Sequence, residues 1–293
     1  MPPWDEIARG IGGAIASPFA IEATESVGGG CINRCYVVRG RGRAYFVKLN
    51  EPARLPMFEA EAAGLAEIAR SATVRVPTPT CSGANQEASW LAVEYIELHP
   101  ARSRSHWELG RQLSRMHKAT NERFGWHRDN TIGATPQVNT PHADWISFWR
   151  ENRLGFQLEL AARNGHRGLL QQRGERLLEE LSGFFVGYTP TPSLLHGDLW
   201  GGNAAFDTEG APVVFDPAVY YGDREADIAM TELFGGFGSA FYSAYRDEFP
   251  LDAGYARRRD LYNLYHVLNH LNLFGGGYGA QALRMIDQLL DHA

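Results

Sequence analysis

His196-Gly-Asp198-Leu-Trp-Gly-Gly-Asn203, followed by Asp216 at the end of the apolar run Val213-Val-Phe215, is the stretch on which the fold turns. Moving a phosphoryl group onto a hydroxyl needs a carboxylate beside the attacking oxygen and separate oxygen ligands for Mg²⁺. An aspartate and an asparagine in one short, rigid loop can supply both. A second aspartate closing a buried strand supplies a further ligand, its carboxylate pointing into a cleft. The spacing therefore assigns Asp198 as general base and Asn203 and Asp216 as Mg²⁺ ligands. His-Gly-Asp alone would be weak, a turn between two strands.

The upstream sequence holds the parts an ATP site needs besides. Val27-Gly28-Gly29-Gly30-Cys31-Ile-Asn33 lies between apolar stretches and reads as a hairpin turn over phosphates. Glycines there permit positive φ and let backbone N–H groups approach the phosphates, although the run is equally an ordinary tight turn. Ala44-Tyr-Phe-Val-Lys48-Leu reads as a strand whose single lysine is placed to hold phosphates. Apolar residues at 57, 58, 62, 65 and 68 predict a helix near 57–70. Glu61 lies on the edge of its inward stripe and is the expected partner of Lys48, whereas Glu59 and Glu67 are expected in solvent. Trp90-Leu-Ala-Val-Glu94-Tyr95-Ile96 runs from a strand into a polar connector. There the Glu94 carbonyl and Ile96 N–H, flanking Tyr95, are positioned for adenine, though an ordinary strand fits too.

With 293 residues, 44% hydrophobic and 21% charged, the chain can bury a substantial core. A formal net charge of −6 without a dense basic run argues against nucleic-acid or anionic-membrane partners. Arg257-Arg-Arg259, the longest basic run, reads as a solvated helix face. No stretch reaches the ~18 apolar residues of a membrane span, and the first residues lack a signal-peptide core. Three cysteines without zinc-ligand spacing suit a reducing cytoplasm. Strand-like runs at 34–39, 43–49 and 90–96 and one helix predict a β-rich lobe over 1–98. Helices at 106–117, 144–164, 169–185, 224–247, 256–274 and 280–291 predict a helical lobe over 99–293, with the loop and strands of 194–216 embedded in it. The fold class is α+β, with two lobes and a cleft between them.

Taken with the Gly28 turn, Asn130-Thr-Ile-Gly-Ala-Thr-Pro-Gln137-Val-Asn139, the Trp145 to Arg153 segment, the Asp198 loop, Phe215-Asp-Pro-Ala218 and Tyr221-Gly-Asp-Arg-Glu225-Ala-Asp227, the chain resembles the fructosamine kinase (ketosamine-3-kinase) family. This family lies within the aminoglycoside-phosphotransferase-like branch of the protein-kinase-like fold, and the resemblance covers about residues 20–275. It implies ATP and Mg²⁺ as cofactors and phosphorylation of the sugar 3-hydroxyl of a small ketosamine or glycated amine. The phosphate destabilises the adduct and releases the amine. By the same resemblance Asp227 braces the catalytic loop, Trp200 can stack on the sugar or pack in the core, and His196 holds the loop. Some relatives carry a cysteine at the position of Cys31 that links two subunits, which implies a monomer or redox-dependent homodimer. Asp216 is followed by Pro-Ala, and no Ala-Pro-Glu lies downstream. A phosphorylation-switched activation segment is therefore missing, against a protein-kinase activity. A kinase of another hydroxylated amine, aminoglycoside- or choline-like, and a non-catalytic ATP-binding protein are the competing readings.

Overall fold

In the computed structural model, which describes residues 2–28 and 32–291, Lys48 lies on the third strand of a five-stranded antiparallel sheet. The elements of this region are α1 (Trp4–Ala14), β1 (Ala23–Val27), β2 (Arg34–Gly40), β3 (Arg43–Asn50), α2 (Leu55–Arg70), β4 (Pro79–Ala84) and β5 (Ser89–Glu94). The sheet order is β1-β2-β3-β5-β4. Period-two alternation explains how β3 uses both its faces. Tyr45, Val47 and Leu49 pack against Ile7 and Ile11 of α1. Phe46 and Lys48 turn to the opposite side, toward α2. The sequence shows three strand-like runs and one helix here; α1, the exposed edge strand β1 and the half-buried edge strand β4 are additional. Both edge strands are polar or glycine-containing and carry little of the apolar alternation that marks a strand.

The rest of the described chain is helical, with six short strands in three antiparallel pairs. Its elements are α3 (Ser105–Met116), β6 (Asn130–Ile132), β7 (Thr135–Gln137), α4 (Trp145–Trp149), α5 (Phe156–Arg163), α6 (Leu169–Glu180), β8 (Ser193–Leu195), β9 (Ala204–Phe206) and β10 (Pro212–Val214). They continue with β11 (Tyr220–Gly222), α7 (Glu225–Leu233), α8 (Ser239–Glu248), α9 (Tyr255–Phe274) and α10 (Tyr278–Leu290). A π-helical stretch, Arg150–Gly155, joins α4 to α5. The span 224–247, expected as one helix, is two. Gly235 adopts φ 84°, and a Cβ on Gly236 would fall 2.3 Å from the Tyr242 hydroxyl. One continuous core joins α2 and β5 to the helices. Among the described residues, no helix is long and apolar enough to cross a membrane.

Arg258 contradicts the solvated reading of the basic run. It is buried in α9, bonds Glu225 Oε2 at 2.7 Å and Asp252 Oδ1 at 2.6 Å, and stacks over Tyr188. Glu67 also departs from expectation. Its side chain is largely buried, accepting from the Tyr221 hydroxyl at 2.7 Å and pairing with Arg70.

Candidate active site

Two loops build the site. Residues 196–203 connect β8 to β9, and residues 215–219 connect β10 to β11. Because β8 pairs with β11 and β9 with β10, the loops leave neighbouring strands and run side by side. Ala218 N donates to His196 O at 2.8 Å and Phe215 N to Asn203 O at 3.0 Å, which lashes one loop to the other. Asp198 and Asp216 are thereby brought to one place.

Asp227, from α7, fixes the first loop. Its carboxylate accepts from the backbone N–H of His196 at 2.7 Å and of Gly197 at 2.9 Å. Gly197 has φ 83°, and a Cβ there would lie 2.1 Å from Ala218 O, so only glycine fits. The Asp227 carboxylate is braced in turn by His117 Nε2 at 3.1 Å, whose Nδ1 pairs with the Tyr245 hydroxyl at 2.8 Å. Burial lowers the pKa of His117 against the opposing pull of Asp227, so the imidazole is neutral, donating from Nε2 and accepting at Nδ1. His196 is equally buried. Its Nδ1 accepts from Asp198 N at 3.3 Å and its Nε2 donates to Phe215 O at 3.0 Å. Both ring nitrogens are occupied, and burial lowers its pKa. It ties the loop to the residue before Asp216.

The run 130–139 has a clear structural task. Asn130 Nδ2 donates to Val219 O at 2.8 Å and Gln137 Nε2 to Ala218 O at 3.0 Å, while Tyr265 donates to Gln137 Oε1 at 2.8 Å. Buried amides thus satisfy the carbonyls just after Asp216, which would otherwise be orphaned. Arg153 extends this support, donating to Val138 O at 2.6 Å and Asn139 Oδ1 at 2.7 Å from over the Tyr220 ring.

Lys48 Nζ lies 2.6 Å from Glu61 Oε1 and 2.6 Å from Asp216 Oδ1. Burial disfavours its charge, but the Asp216 and Glu61 carboxylates outweigh that and raise its pKa, so the ammonium is retained. Asp216 takes the left-handed conformation, φ 56°, rare for a residue with a side chain. Asn203 is buried and donates its amide to Asp198 O at 2.9 Å and Oδ2 at 3.2 Å, which turns its Oδ1 the other way. Burial, then the Asp216 charge, push the half-buried Asp198 carboxyl up to about 7, against the Asn203 hydrogen bond. Among the described residues, no group of three or more His, Cys, Asp or Glu could hold a metal.

The remaining predicted residues are placed as follows. The Glu94 side chain accepts from Arg75, which also bonds Asp207, so it stakes β5 to the β9–β10 hairpin. Tyr95 lies under the Arg39 guanidinium, and with Ile96 it opens the irregular connector of 95–98. Trp200 is 39% exposed, which removes core packing as its reading. A Cβ on Gly202 would meet the Trp200 ring at 2.3 Å. Gly28, just after β1, has no positive φ, and a Cβ there would meet open space. Gly29, Gly30 and Cys31 lie outside the described residues. Sequence reasoning missed His117, Tyr245 and Arg75, and nothing local signals their pairings.

A sheet lobe with the buried Lys48–Glu61 pair, closed against a helical lobe presenting Asp198, Asn203 and Asp216, defines a phosphotransferase of the kinase-like fold. The chain belongs to the fructosamine kinase family, whose model matches residues 3–292. It is 46% identical to a probable ketoamine kinase of Synechocystis sp., covering 98% of this chain and 97% of that protein. It is also 46% identical to the chloroplastic protein-ribulosamine 3-kinase of Arabidopsis thaliana, over 90% of this chain and 82% of that one. Among solved structures, one from Haemophilus somnus, described as a candidate fructosamine-3-kinase, aligns with TM-score 0.91 at 28% identity, covering 98% and 97%. An aminoglycoside phosphotransferase shares the fold with TM-score 0.65 at 14% identity, covering 93% and 94%.

Proposed function

We propose that this chain transfers the γ-phosphoryl group of ATP to the sugar 3-hydroxyl of ketosamines, such as ribulosamine or fructosamine adducts. The observation that carries the reading is Lys48 Nζ held between Glu61 and Asp216 at 2.6 Å each, beside the loop of Asp198. Asp198 is the general base. It takes the hydroxyl proton as the oxygen bonds phosphorus and the β–γ bridging bond breaks, releasing ADP. A carboxyl raised to about 7 suits that task. Asn203 Oδ1 and the Asp216 carboxylate are hard oxygen donors. Two such donors, without a full protein cage, fit an Mg²⁺ shared with nucleotide phosphates, and the ion would neutralise charge on the transferred group. Lys48, kept extended by Glu61, holds phosphates, and the turn of Gly28, Gly29 and Gly30 covers them. Backbone groups of Glu94, Tyr95 and Ile96 take adenine, at a lobe boundary we place after residue 98. Trp200 contacts the sugar. A cytoplasmic setting, and a monomer or a Cys31-linked dimer, complete the reading.

A coupled assay of ADP release with ribulose-, erythrulose- and fructose-amine adducts tests it. Mg²⁺-dependent ADP release with at least one adduct is expected, and release with none would contradict the reading.

A further inference from the structure

Seven large hydrophobic side chains are exposed among the described residues, and three of them, Trp200, Phe234 and Phe274, fall in one row of rings. Trp200, in the Asp198 loop, meets Phe234 edge-on at 6.4 Å. Phe234 packs on His270 at 4.9 Å, and His270 touches Phe274 at 5.5 Å and Tyr278 at 5.2 Å. His266, His270 and Phe274 are spaced four apart on one face of α9 and grade outward from buried through half-buried to exposed. The row meets the catalytic loop at Trp200. Next to His266, Tyr265 has its hydroxyl pushed up to about 12 chiefly by burial, with the Asp198 charge contributing. The buried Nδ1 of His266 has no hydrogen-bond partner among the described residues. The outer end lies on the cleft rim. The Gly133 turn sits between Ile32, beside the glycine run, and Leu273 of α9, close enough that a Cβ would meet both within 3.2 Å.

We propose that this row is the subsite for the amine carrier of the substrate and that it selects apolar, above all aromatic, carriers. The inference rests on the ketosamine reading above. In a ketosamine the amine nitrogen is only a few bonds from the 3-hydroxyl, so an oxygen held at Asp198 places the cationic nitrogen beside Trp200, where an aromatic face favours it. The carrier then has a continuous path of rings outward over Phe234, His270 and Phe274. Glu232, two residues before Phe234, is already engaged by Tyr255 at 2.8 Å and Arg259 at 3.5 Å. The row therefore offers a carrier rings rather than a free charge.

The test compares two ribulosamine adducts sharing one sugar, one carried by methylamine and one by phenethylamine. The readout is the ratio of their kcat/KM values. Wild type should favour the phenethylamine adduct by about tenfold, the scale of one good aromatic contact, mostly through KM. Phe274→Ala and Phe234→Ala should each lower the ratio severalfold, and Phe274→Trp should preserve it. A wild-type ratio near unity, or a ratio unmoved by both alanine variants, would overturn the subsite while leaving the ketosamine reading standing. Turnover of neither adduct would overturn both.

Discussion

Lys48 Nζ and Asp216 Oδ1 are 2.6 Å apart although 168 residues separate them in the chain. The contact joins the sheet to the loop that follows β10, and it occupies one oxygen of the carboxylate proposed to hold Mg²⁺. Nucleotide binding would therefore exchange an internal ion pair for phosphate–lysine and metal–carboxylate contacts. Lys48→Met should abolish turnover and strand Glu61 without its cation. Removing one member of a buried pair costs roughly 3–5 kcal/mol, so a clear loss in denaturant midpoint should accompany inactivity. Wild-type turnover in Lys48→Met would make the lysine structural.

Asp216→Ala should weaken Mg·ATP binding as well as turnover, since a direct ligand of the ion is lost. Unchanged Mg·ATP affinity by calorimetry would contradict the metal assignment.

Asp198→Asn should lose ~10² to 10⁴ in rate yet bind nucleotide nearly as well as wild type. It should also change stability with pH. The Asp198 pKa is raised to about 7 in the folded chain, so its contribution to stability is full below the usual aspartate range and is lost as pH climbs through about 7. Asparagine has no such loss. The variant's melting temperature relative to wild type should therefore rise between pH 5 and pH 8, and a constant difference would count against the raised pKa.

Asp227→Ala should unseat the catalytic loop by leaving the His196 and Gly197 N–H groups buried without an acceptor, each costing about 1–3 kcal/mol. Gly197→Ala should be as damaging through its positive φ and the collision with Ala218 O. Near-native stability in Asp227→Ala would show that the loop is held by other contacts.

Lys48, Glu61, Asp198, Asn203 and Asp216 were legible because each sits in a short motif whose spacing is set by local geometry. Asp227 was legible through the run from Tyr221, and the structure gives it the bracing contacts that the resemblance implied. What stayed hidden depends on long-range pairing. The His117–Tyr245 contact spans 128 residues, and the Glu67–Tyr221 contact spans 154. Arg258 looked like one of three equivalent surface arginines because its partners Glu225 and Asp252 come from other parts of the chain. The 130–139 run was visible as a motif but not as a brace, since its acceptors are main-chain carbonyls that no side-chain pattern marks.

Locating the phosphate on the product is the most direct test of the central claim. A ribulosamine adduct incubated with Mg·ATP and the enzyme should yield one phosphate ester per ADP, placed on the sugar 3-oxygen by phosphorus–carbon coupling in NMR, followed by release of the free amine. ADP formation without consumption of the adduct, or an ester at another hydroxyl, would contradict the account.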